Sequence, residues 1–128
     1  MDTFKTHGAF SWSELTTTDP AAASEFYGSL FGWTAETMDM GTGPYRVLKV
    51  GAEAIGGIMA SPPGAPAMPT RWSAYVTVDD IDATAERCVA LGGKLLMPPT
   101  DIPTVGRMAI LQDPQGATIS AITYVNGG

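Results

Sequence analysis

The stretch that decides the fold is residues 17–33, TTDPAAASEFYGSLFGW. Asp19 is a favourable helix N-cap, and Pro20 suits the first helical position because its missing N–H would have no partner there. The helix is predicted to run from Ala21 to about Phe31 and to stop at Gly32. Its predicted apolar stripe consists of Ala22, Phe26 and Leu30, joined by Ala23 and Tyr27.

Strand-like segments surround this helix, and the same order of elements then starts again. The first set of predicted strands covers residues 9–17, 33–37, 45–50 and 54–60. The segment Ser61 to Thr70 follows and contains four prolines. These forbid a helix or central strand there and predict a linker or an edge loop between the two halves. The second set covers residues 71–78, 94–97, 107–112 and 117–124, with a helix from Asp80 to Leu91 that ends at Gly92-Gly93.

The two halves match when the first is shifted by 61 positions without gaps. The matched pairs are Leu15 with Val76, Ala22 with Ala83, Glu25 with Glu86, Leu30 with Leu91, and Gly32 with Gly93. Because neither half could cover its own sheet alone, and because all elements match in order, duplication explains the pattern better than chance does. The sequence predicts one α+β domain over residues 1–128, with a first module at about 8–61 and a second at about 70–125.

Composition bounds the partners and the compartment. The chain has 128 residues, 45% of them apolar, and a formal charge of −6. An acidic surface without a basic cluster makes nucleic acid or an anionic membrane an unexpected partner. The single Cys88 cannot form an internal disulfide, and the N-terminus has no apolar leader, so a cytoplasmic, unprocessed protein is expected.

Strand alternation separates two faces of the predicted sheets. Ala74, Val76 and Val78 are small and apolar, as on a face covered by a helix, and the repeat places Leu15 on the helix side too. The opposite face collects aromatic rings, hydroxyls and one carboxylate, and its candidate ligand-binding residues are Phe10, Trp12, Glu14, Ser73, Tyr75 and Ser120. Such a mixture suits a small-molecule pocket, although Trp and Tyr are also enriched where subunits meet, and both interpretations stay open.

Glu14 is the sharpest candidate for chemistry. In a partly apolar hollow, beside Trp12 and across from Tyr75, it could act as a general acid or base. The alternative is a strand-end carboxylate that is exposed or anchored to backbone amides or Arg107. Trp12 and Phe10 could stack on a flat ligand or simply pack, and Tyr75 could donate a hydrogen bond into the hollow. Ser73 and Ser120 have no histidine partner, so a serine nucleophile is not expected.

Residues 17–33, with Phe26-Tyr27 and Leu30-Phe31-Gly32-Trp33, resemble the first helix of the vicinal oxygen chelate superfamily, which contains glyoxalase I, bleomycin-resistance proteins and extradiol dioxygenases. The run Asp113-Pro114-Gln115-Gly116-Ala117 resembles its second-half signature. The resemblance implies two βαβββ modules whose curved mixed sheets surround a concave cavity. The Gly56-Gly57 pair and the Trp72 strand further resemble a glyoxalase-like or hydroxylase-like subgroup.

The resemblance also implies where metal-dependent members hold their ion. Their His or Glu ligands would fall here on Trp12, about Gly56, Ser73 and Ser120. An indole, a hydrogen and two hydroxyls are not the donors that such an ion requires. No metal ligands and no cofactor are therefore expected.

Three functions follow as hypotheses. The first is metal-independent binding of a small molecule. The second is an enzyme of lyase, isomerase or hydrolase type that uses Glu14 as general acid or base, with Tyr75 or a serine as polarising partner. The third is an interaction module whose concave face mainly makes a homodimer.

Overall fold

The computed structural model describes residues 1–39, 44–61 and 69–125. Over these ranges the structure confirms the predicted α+β class and the predicted repeat of the βαβββ order. The elements are β1 (Phe10–Thr16), α1 (Pro20–Phe31), β2 (Thr34–Asp39), β3 (Pro44–Val50), β4 (Glu53–Met59), β5 (Arg71–Thr77), α2 (Ile81–Ala90), β6 (Lys94–Ile102), β7 (Gly106–Gln112) and β8 (Thr118–Tyr124). The chain divides into two compact units: unit 1 is Met1–Ser11 with Ala74–Gly128, and unit 2 is Trp12–Ser73.

Unit 2 contains a sheet with the strand order β2-β3-β4-β1. The β2–β3 and β3–β4 pairs are antiparallel, whereas β4 pairs with β1 in parallel. Glu14 lies opposite Gly57, and Gly57 lies opposite Val47. This register aligns three residues of three neighbouring strands on one line across the sheet.

Unit 1 contains a sheet with the strand order β5-β8-β7-β6. Here β5 pairs with β8 in parallel, and the other pairs are antiparallel. Tyr75 lies opposite Ser120 in the parallel pair.

Both predicted helix starts and the predicted end of α1 are confirmed, whereas α2 ends at Ala90, one residue before the predicted Leu91. Asp19 Oδ1 accepts from the Ala22 amide at 3.1 Å, and Asp80 Oδ1 accepts from the amides of Asp82 and Ala83. Gly32 closes α1 with φ 78°, a left-handed conformation that a glycine adopts without steric cost. The residue types alone were sufficient to locate these ends.

The apolar stripe predicted for α1 was wrong in its orientation. Ala23 and Tyr27 pack on the core of unit 2, whereas Phe26 and Leu30 are 61% and 58% exposed. Ala22 is exposed as well. Since residues four apart share a helix face, both sets satisfy the same spacing, and a sequence cannot say which set turns inward when both are apolar.

The predicted helix-facing strand residues are confirmed in both units. Leu15, Leu48 and Ile58 are buried together in unit 2, and Ala23, Tyr27 and Trp33 pack against them. In unit 1, Val76 and Val78 join a core that also includes Ile81 of α2, Ala109 and Ala121. Alternation then puts the neighbours of these residues on the opposite face of each sheet.

Strand β6 is longer than predicted, because it continues past Met97 through Pro98 and Pro99 to Ile102. β6 is the edge strand of its sheet. A proline that faces the outer side of an edge strand interrupts no hydrogen bond between strands. Its register with β7 shifts twice, between Leu95 and Met97 and between Met97 and Thr100. Residues 40–43, between the predicted strands at 33–37 and 45–50, and most of the predicted linker, residues 62–68, lie outside the described residues.

Within the described ranges, no helix is long and apolar enough to cross a membrane.

An ion-pair network ties α2 to two strands of unit 1. Arg107 donates from Nε and Nη2 to both carboxylate oxygens of Asp82 at 3.0 and 2.9 Å, and from Nη1 to Asp101 at 3.3 Å. Arg107, which the sequence suggested as one possible anchor for Glu14, therefore donates hydrogen bonds to Asp82 and Asp101. The hydrogen bonds from Arg107 hold the pKa of the Asp82 carboxyl below its usual value.

This network predicts a pH dependence of stability. A carboxyl whose folded pKa is depressed stabilises the fold above its unfolded pKa of about 3.9, and this contribution is lost as the pH falls through the folded value. We expect the free energy of unfolding, measured in denaturant from pH 7 downwards, to fall less steeply below about pH 4 in Asp82→Asn than in the wild type. Glu86→Gln removes the same charge from the same helix and serves as the control. Equal acid slopes in Asp82→Asn and the wild type would contradict the assignment.

Candidate functional site

Glu14 lies in β1, on the face of the unit 2 sheet opposite α1. Leu15 beside it is buried under the helix, so alternation turns the Glu14 side chain to the other face. Tyr45, at the start of β3, donates from its hydroxyl to Glu14 Oε2 at 2.7 Å. Both side chains are half-buried. The carboxylate is therefore held by a side chain from a strand that is not its neighbour in the sheet.

Trp12 completes a chain of hydrogen bonds on the same face. It stands two residues before Glu14, so its side chain points to the same side of β1. Its indole Nε1 donates to the Tyr45 hydroxyl at 2.9 Å. We call Trp12, Glu14 and Tyr45 the carboxylate cluster.

Gly57 in β4 makes this cluster sterically feasible. β4 lies between β3 and β1, and the Tyr45 side chain crosses it to reach Glu14. A Cβ at Gly57 would lie only 2.0 Å from the Tyr45 hydroxyl oxygen and 2.2 Å from the ring carbon that carries it. The missing side chain of Gly57 thus leaves the space in which Tyr45 lies.

The chemistry available to the cluster follows from its donors and acceptors. An indole N–H can only donate, so it fixes the direction of the first bond, and the Tyr45 proton goes to the carboxylate. A half-buried carboxylate beside a phenol and an indole can bind a hydrogen-bond donor or exchange a proton with a bound molecule.

Two other residues predicted for this site, Ser73 and Phe10, lie outside the carboxylate cluster. Ser73, near the start of β5, is half-buried. Phe10, the first residue of β1, is 68% exposed and belongs to unit 1. Neither contributes to the hydrogen bonds of the carboxylate cluster described above.

Tyr75 and Ser120 lie together in unit 1, as opposite residues of β5 and β8. They are only 8% and 3% exposed. Both point away from the α2 side of their sheet, as predicted, because their neighbours Val76 and Ala121 pack with the α2 core. Of the six predicted site residues, Trp12 and Glu14 belong to the carboxylate cluster, Tyr75 and Ser120 form a buried pair in unit 1, and Phe10 and Ser73 belong to neither group.

The N-terminal segment Met1–Gly8 packs on the same face of unit 1, which sequence reasoning missed. The carbonyl oxygen of Thr3 accepts from Thr77 Oγ1 at 2.7 Å, and the Phe4 ring meets Tyr124 edge to face at 5.1 Å. Asp2 orders the segment, because its carboxylate accepts from the Phe4 amide and its carbonyl from Thr6 Oγ1. The single aromatic residue in an otherwise polar N-terminus was the available signal.

The side chains at the positions implied for metal ligands do not fit a metal ion. The Trp12 indole has no free lone pair and donates its proton to Tyr45. Gly56 has no side chain, and Ser73 and Ser120 offer neutral hydroxyls. Among the residues that the structure describes, no three or more His, Cys, Asp or Glu side chains stand where they could share an ion.

Tyr45 is the residue of the cluster that sequence reasoning missed, because it was predicted only as a strand residue. The Gly56-Gly57 pair was interpreted as turn or close-approach residues, and the close approach of Tyr45 to Gly57 confirms the second of these. The signal was the pair Gly56-Gly57 inside a strand, because a glycine there marks a place where another group approaches closely.

The described elements and this site define a class: an α+β protein built from two βαβββ units, with a hydrogen-bonded carboxylate on the sheet face opposite α1. The family model described as the Glyoxalase/Bleomycin resistance protein/Dioxygenase superfamily matches residues 9–121. The chain belongs to this superfamily. The match begins directly after the N-terminal segment that packs on unit 1.

The curated relatives include a "Putative glyoxylase CFP32" of Mycobacterium tuberculosis, 45% identical over 116 residues. The alignment covers 90% of this chain and 44% of the relative. The "Anthracycline biosynthesis protein DnrV" of Streptomyces peucetius is 33% identical over 126 residues, covering 88% of this chain and 46% of that protein. The chain thus spans less than half the length of these relatives.

Solved structures with the same fold include methylmalonyl-CoA epimerases. The enzyme of Mycobacterium tuberculosis is 18% identical, with a TM-score of 0.63 over 90% of this chain and 86% of that one. A Streptomyces coelicolor variant in complex with 2-nitronate-propionyl-CoA is 16% identical, with a TM-score of 0.66 over 94% and 97% of the two chains. At these identities the likeness shows the fold alone.

The contact between Tyr45 and Gly57 yields a prediction that a double-mutant cycle can test. Gly57→Ala should push Tyr45 off Glu14 and cost about 1–3 kcal/mol in the free energy of unfolding, since hydrogen bonds to a charged group are lost. In a Tyr45→Ala background, which has no ring to displace, the same substitution should cost almost nothing.

The control is Gly57→Ala in a Val47→Ala background, since Val47 also lies opposite Gly57. There the cost should equal that in the wild type. If Gly57→Ala costs the same in the Tyr45→Ala background as in the wild type, Tyr45 does not lie over Gly57.

Proposed function

We propose that this chain binds a small organic molecule at the carboxylate cluster of unit 2 and does so without a metal ion. The observation that carries the proposal is the hydrogen-bond chain from Trp12 through Tyr45 to Glu14. It holds a carboxylate and an indole ring on a sheet face that α1 does not cover. Polar anchors with aromatic walls are typical of small-molecule sites.

The comparisons support a small organic ligand. The superfamily includes bleomycin-resistance proteins, and one relative is named for anthracycline biosynthesis. The absence of a ligand set at the implied metal positions supports metal independence, because Trp12 and Gly56 cannot replace His or Glu.

Binding can be tested by tryptophan fluorescence against a panel of aromatic and cationic compounds. We expect at least one compound to change the emission of the wild type, and the change to disappear in Trp12→Phe but persist in Trp72→Phe. Trp72 is the matched control because its indole donates to Tyr27, in an aromatic group beside α1. An unchanged emission across the whole panel would refute the proposal.

Metal independence is tested on the same protein. The affinity for the panel compound should be unchanged after exhaustive treatment with a chelator. Affinity that is lost on chelation and restored by a divalent ion would overturn this part of the proposal.

The second candidate is an enzyme that uses Glu14 as general acid or base. The observation that favours it is the hydrogen bond from the Tyr45 phenol to the carboxylate, which gives a proton donor next to a base. Tyr75, the partner expected from the sequence, is largely buried in unit 1, and its part in such chemistry stays a prediction. If panel compounds are turned over and Glu14→Gln abolishes turnover while retaining binding, this candidate replaces simple binding.

We also propose a homodimer, with the exposed apolar residues of α1 as its interface. Phe26, Leu30 and Phe31 are each more than half exposed, and Phe26 and Leu30 line a shallow depression with Glu25 and Ser29. None of the α1 residues is buried, whereas α2 buries Ile81 and Ala85. A helix that leaves large apolar side chains in water is typical of an interaction surface.

Sedimentation velocity tests the homodimer. The wild type should sediment as a dimer and Phe26→Glu as a folded monomer, because a charge in an apolar interface is costly. Val89→Glu on α2 is the matched control, since Val89 is also exposed. A monomeric wild type, or a Phe26→Glu protein that remains a dimer, would contradict this interface.

A further inference from the structure

The N-terminal segment Met1–Gly8 is fastened to unit 1 through the imidazole of His7, the only histidine in the sequence. Nδ1 of His7 accepts a hydrogen bond from the backbone amide of Asp79 at 3.0 Å. A backbone N–H can only donate, so Nδ1 has to carry a lone pair, and the imidazole has to be neutral to make this bond. The bond therefore exists in only one of the two charge states of His7.

The same segment closes one end of the unit 1 sheet, on the face opposite α2. Thr77 and Tyr124 form this end, where β5 and β8 finish side by side in parallel. Thr77 Oγ1 donates to the Thr3 carbonyl at 2.7 Å, and the Phe4 ring packs edge to face on Tyr124. Thr77 is only 4% exposed, so the segment supplies the acceptor that a buried hydroxyl requires.

The charged groups around His7 do little to offset its protonation. The carboxylate of Asp79 lies 3.8 Å from Nδ1, but its side chain is 81% exposed, so solvent weakens the attraction. The Asp80 carboxylate is engaged in capping the first turn of α2. Within the segment, Asp2 and Lys5 pair with each other at 4.0 Å. The residues of β1 and β5 that bond to each other beside the segment are uncharged.

We propose that the N-terminal segment is a pH-sensitive strap over this end of the unit 1 sheet, closed when His7 is neutral and released when His7 is protonated. A protonated Nδ1 sets a second proton against the Asp79 amide proton, so the imidazolium turns away and the segment loses this bond. Histidine changes its charge between about pH 5 and pH 8, which sets the range in which the segment responds.

Release of the segment gives access to a face that is otherwise closed at this end. The Thr77 hydroxyl then meets solvent, and the face that it shares with Tyr75 and Ser120 opens beside it. The inference concerns unit 1 alone, and it stands whether or not the carboxylate cluster of unit 2 binds a ligand.

The test measures how often the segment opens, as hydrogen-exchange protection factors of two amides in the full chain. The Gly8 amide donates to the Thr77 carbonyl at 2.8 Å, and the Asp79 amide donates to His7. A protection factor is corrected for the intrinsic exchange rate, so values at different pH can be compared. In the wild type, both should fall about fivefold between about pH 7.5 and pH 5, as expected for the loss of one hydrogen bond.

Two substitutions of His7 separate its charge from its hydrogen bond. His7→Asn puts an amide oxygen near the position of Nδ1 and does not titrate, so the Gly8 amide should be protected as in the wild type at the higher pH and should stay protected at the lower one. His7→Ala has neither acceptor nor charge, so protection should be about fivefold lower at both pH values. The amide of Ala109, a fully buried core residue of unit 1, reports unfolding of the whole unit and should not change.

Each alternative outcome overturns the proposal for a separate reason. Equal protection of Gly8 at both pH values in the wild type means that the charge of His7 does not matter. Greater protection at the lower pH means that the ion pair with Asp79 outweighs the lost hydrogen bond. If His7→Asn loses protection as steeply as the wild type, a carboxyl group is the sensor instead. A parallel loss of protection at Ala109 means that the unit unfolds as a whole.

Discussion

The burial of Leu15, Leu48 and Ile58 under α1 is the constraint on which the site in unit 2 depends. Because strand side chains alternate, these three residues turn their neighbours Glu14, Val47 and Gly57 to the opposite face of the sheet. A slip of one residue would turn Glu14 under the helix and move Leu15 to the opposite face of the sheet. The same strand register therefore buries the core residues and places the carboxylate on the opposite face of the sheet.

Gly57 adds a second constraint on the same sheet. The parity set by Ile58 turns the position of Gly57 towards the face that carries Glu14, where any side chain would meet Tyr45. A strand interior normally loses stability with glycine. Here the lost packing is offset by a tyrosine that spans β4 and binds a carboxylate two strands away.

The two units share an order of elements, but they differ in which helix residues are buried and which are exposed. In unit 1, α2 buries Ile81 and Ala85, and Arg107 anchors its first turn through Asp82. In unit 2, α1 contacts the sheet through Ala23 and Tyr27 and leaves Phe26 and Leu30 in solvent. The N-terminal segment likewise occupies the sheet face of unit 1 through Thr3 and Phe4. The two units therefore differ at these surfaces, while they share the same order of strands and helix.

The sequence was sufficient for features that depend on local chemistry or on a period of two. Asp19 and Gly32 bound α1 because caps are local, and Leu15 and Val76 face helices because strands alternate. It was insufficient where two solutions satisfy the same pattern, as with the two apolar stripes of α1. It was also insufficient for long-range contacts, because nothing near Glu14 in the chain indicates that Tyr45 reaches it across Gly57.

The central claim is that Tyr45 links Trp12 to Glu14, and the indole N–H of Trp12 reports on this link directly. A hydrogen-bonded N–H resonates downfield and exchanges slowly with solvent. In Tyr45→Phe, which keeps the ring and removes only the hydroxyl, the Trp12 resonance should move upfield and exchange faster, while that of Trp72 stays in place. A Trp12 resonance with the same position and exchange rate in both proteins would contradict the account.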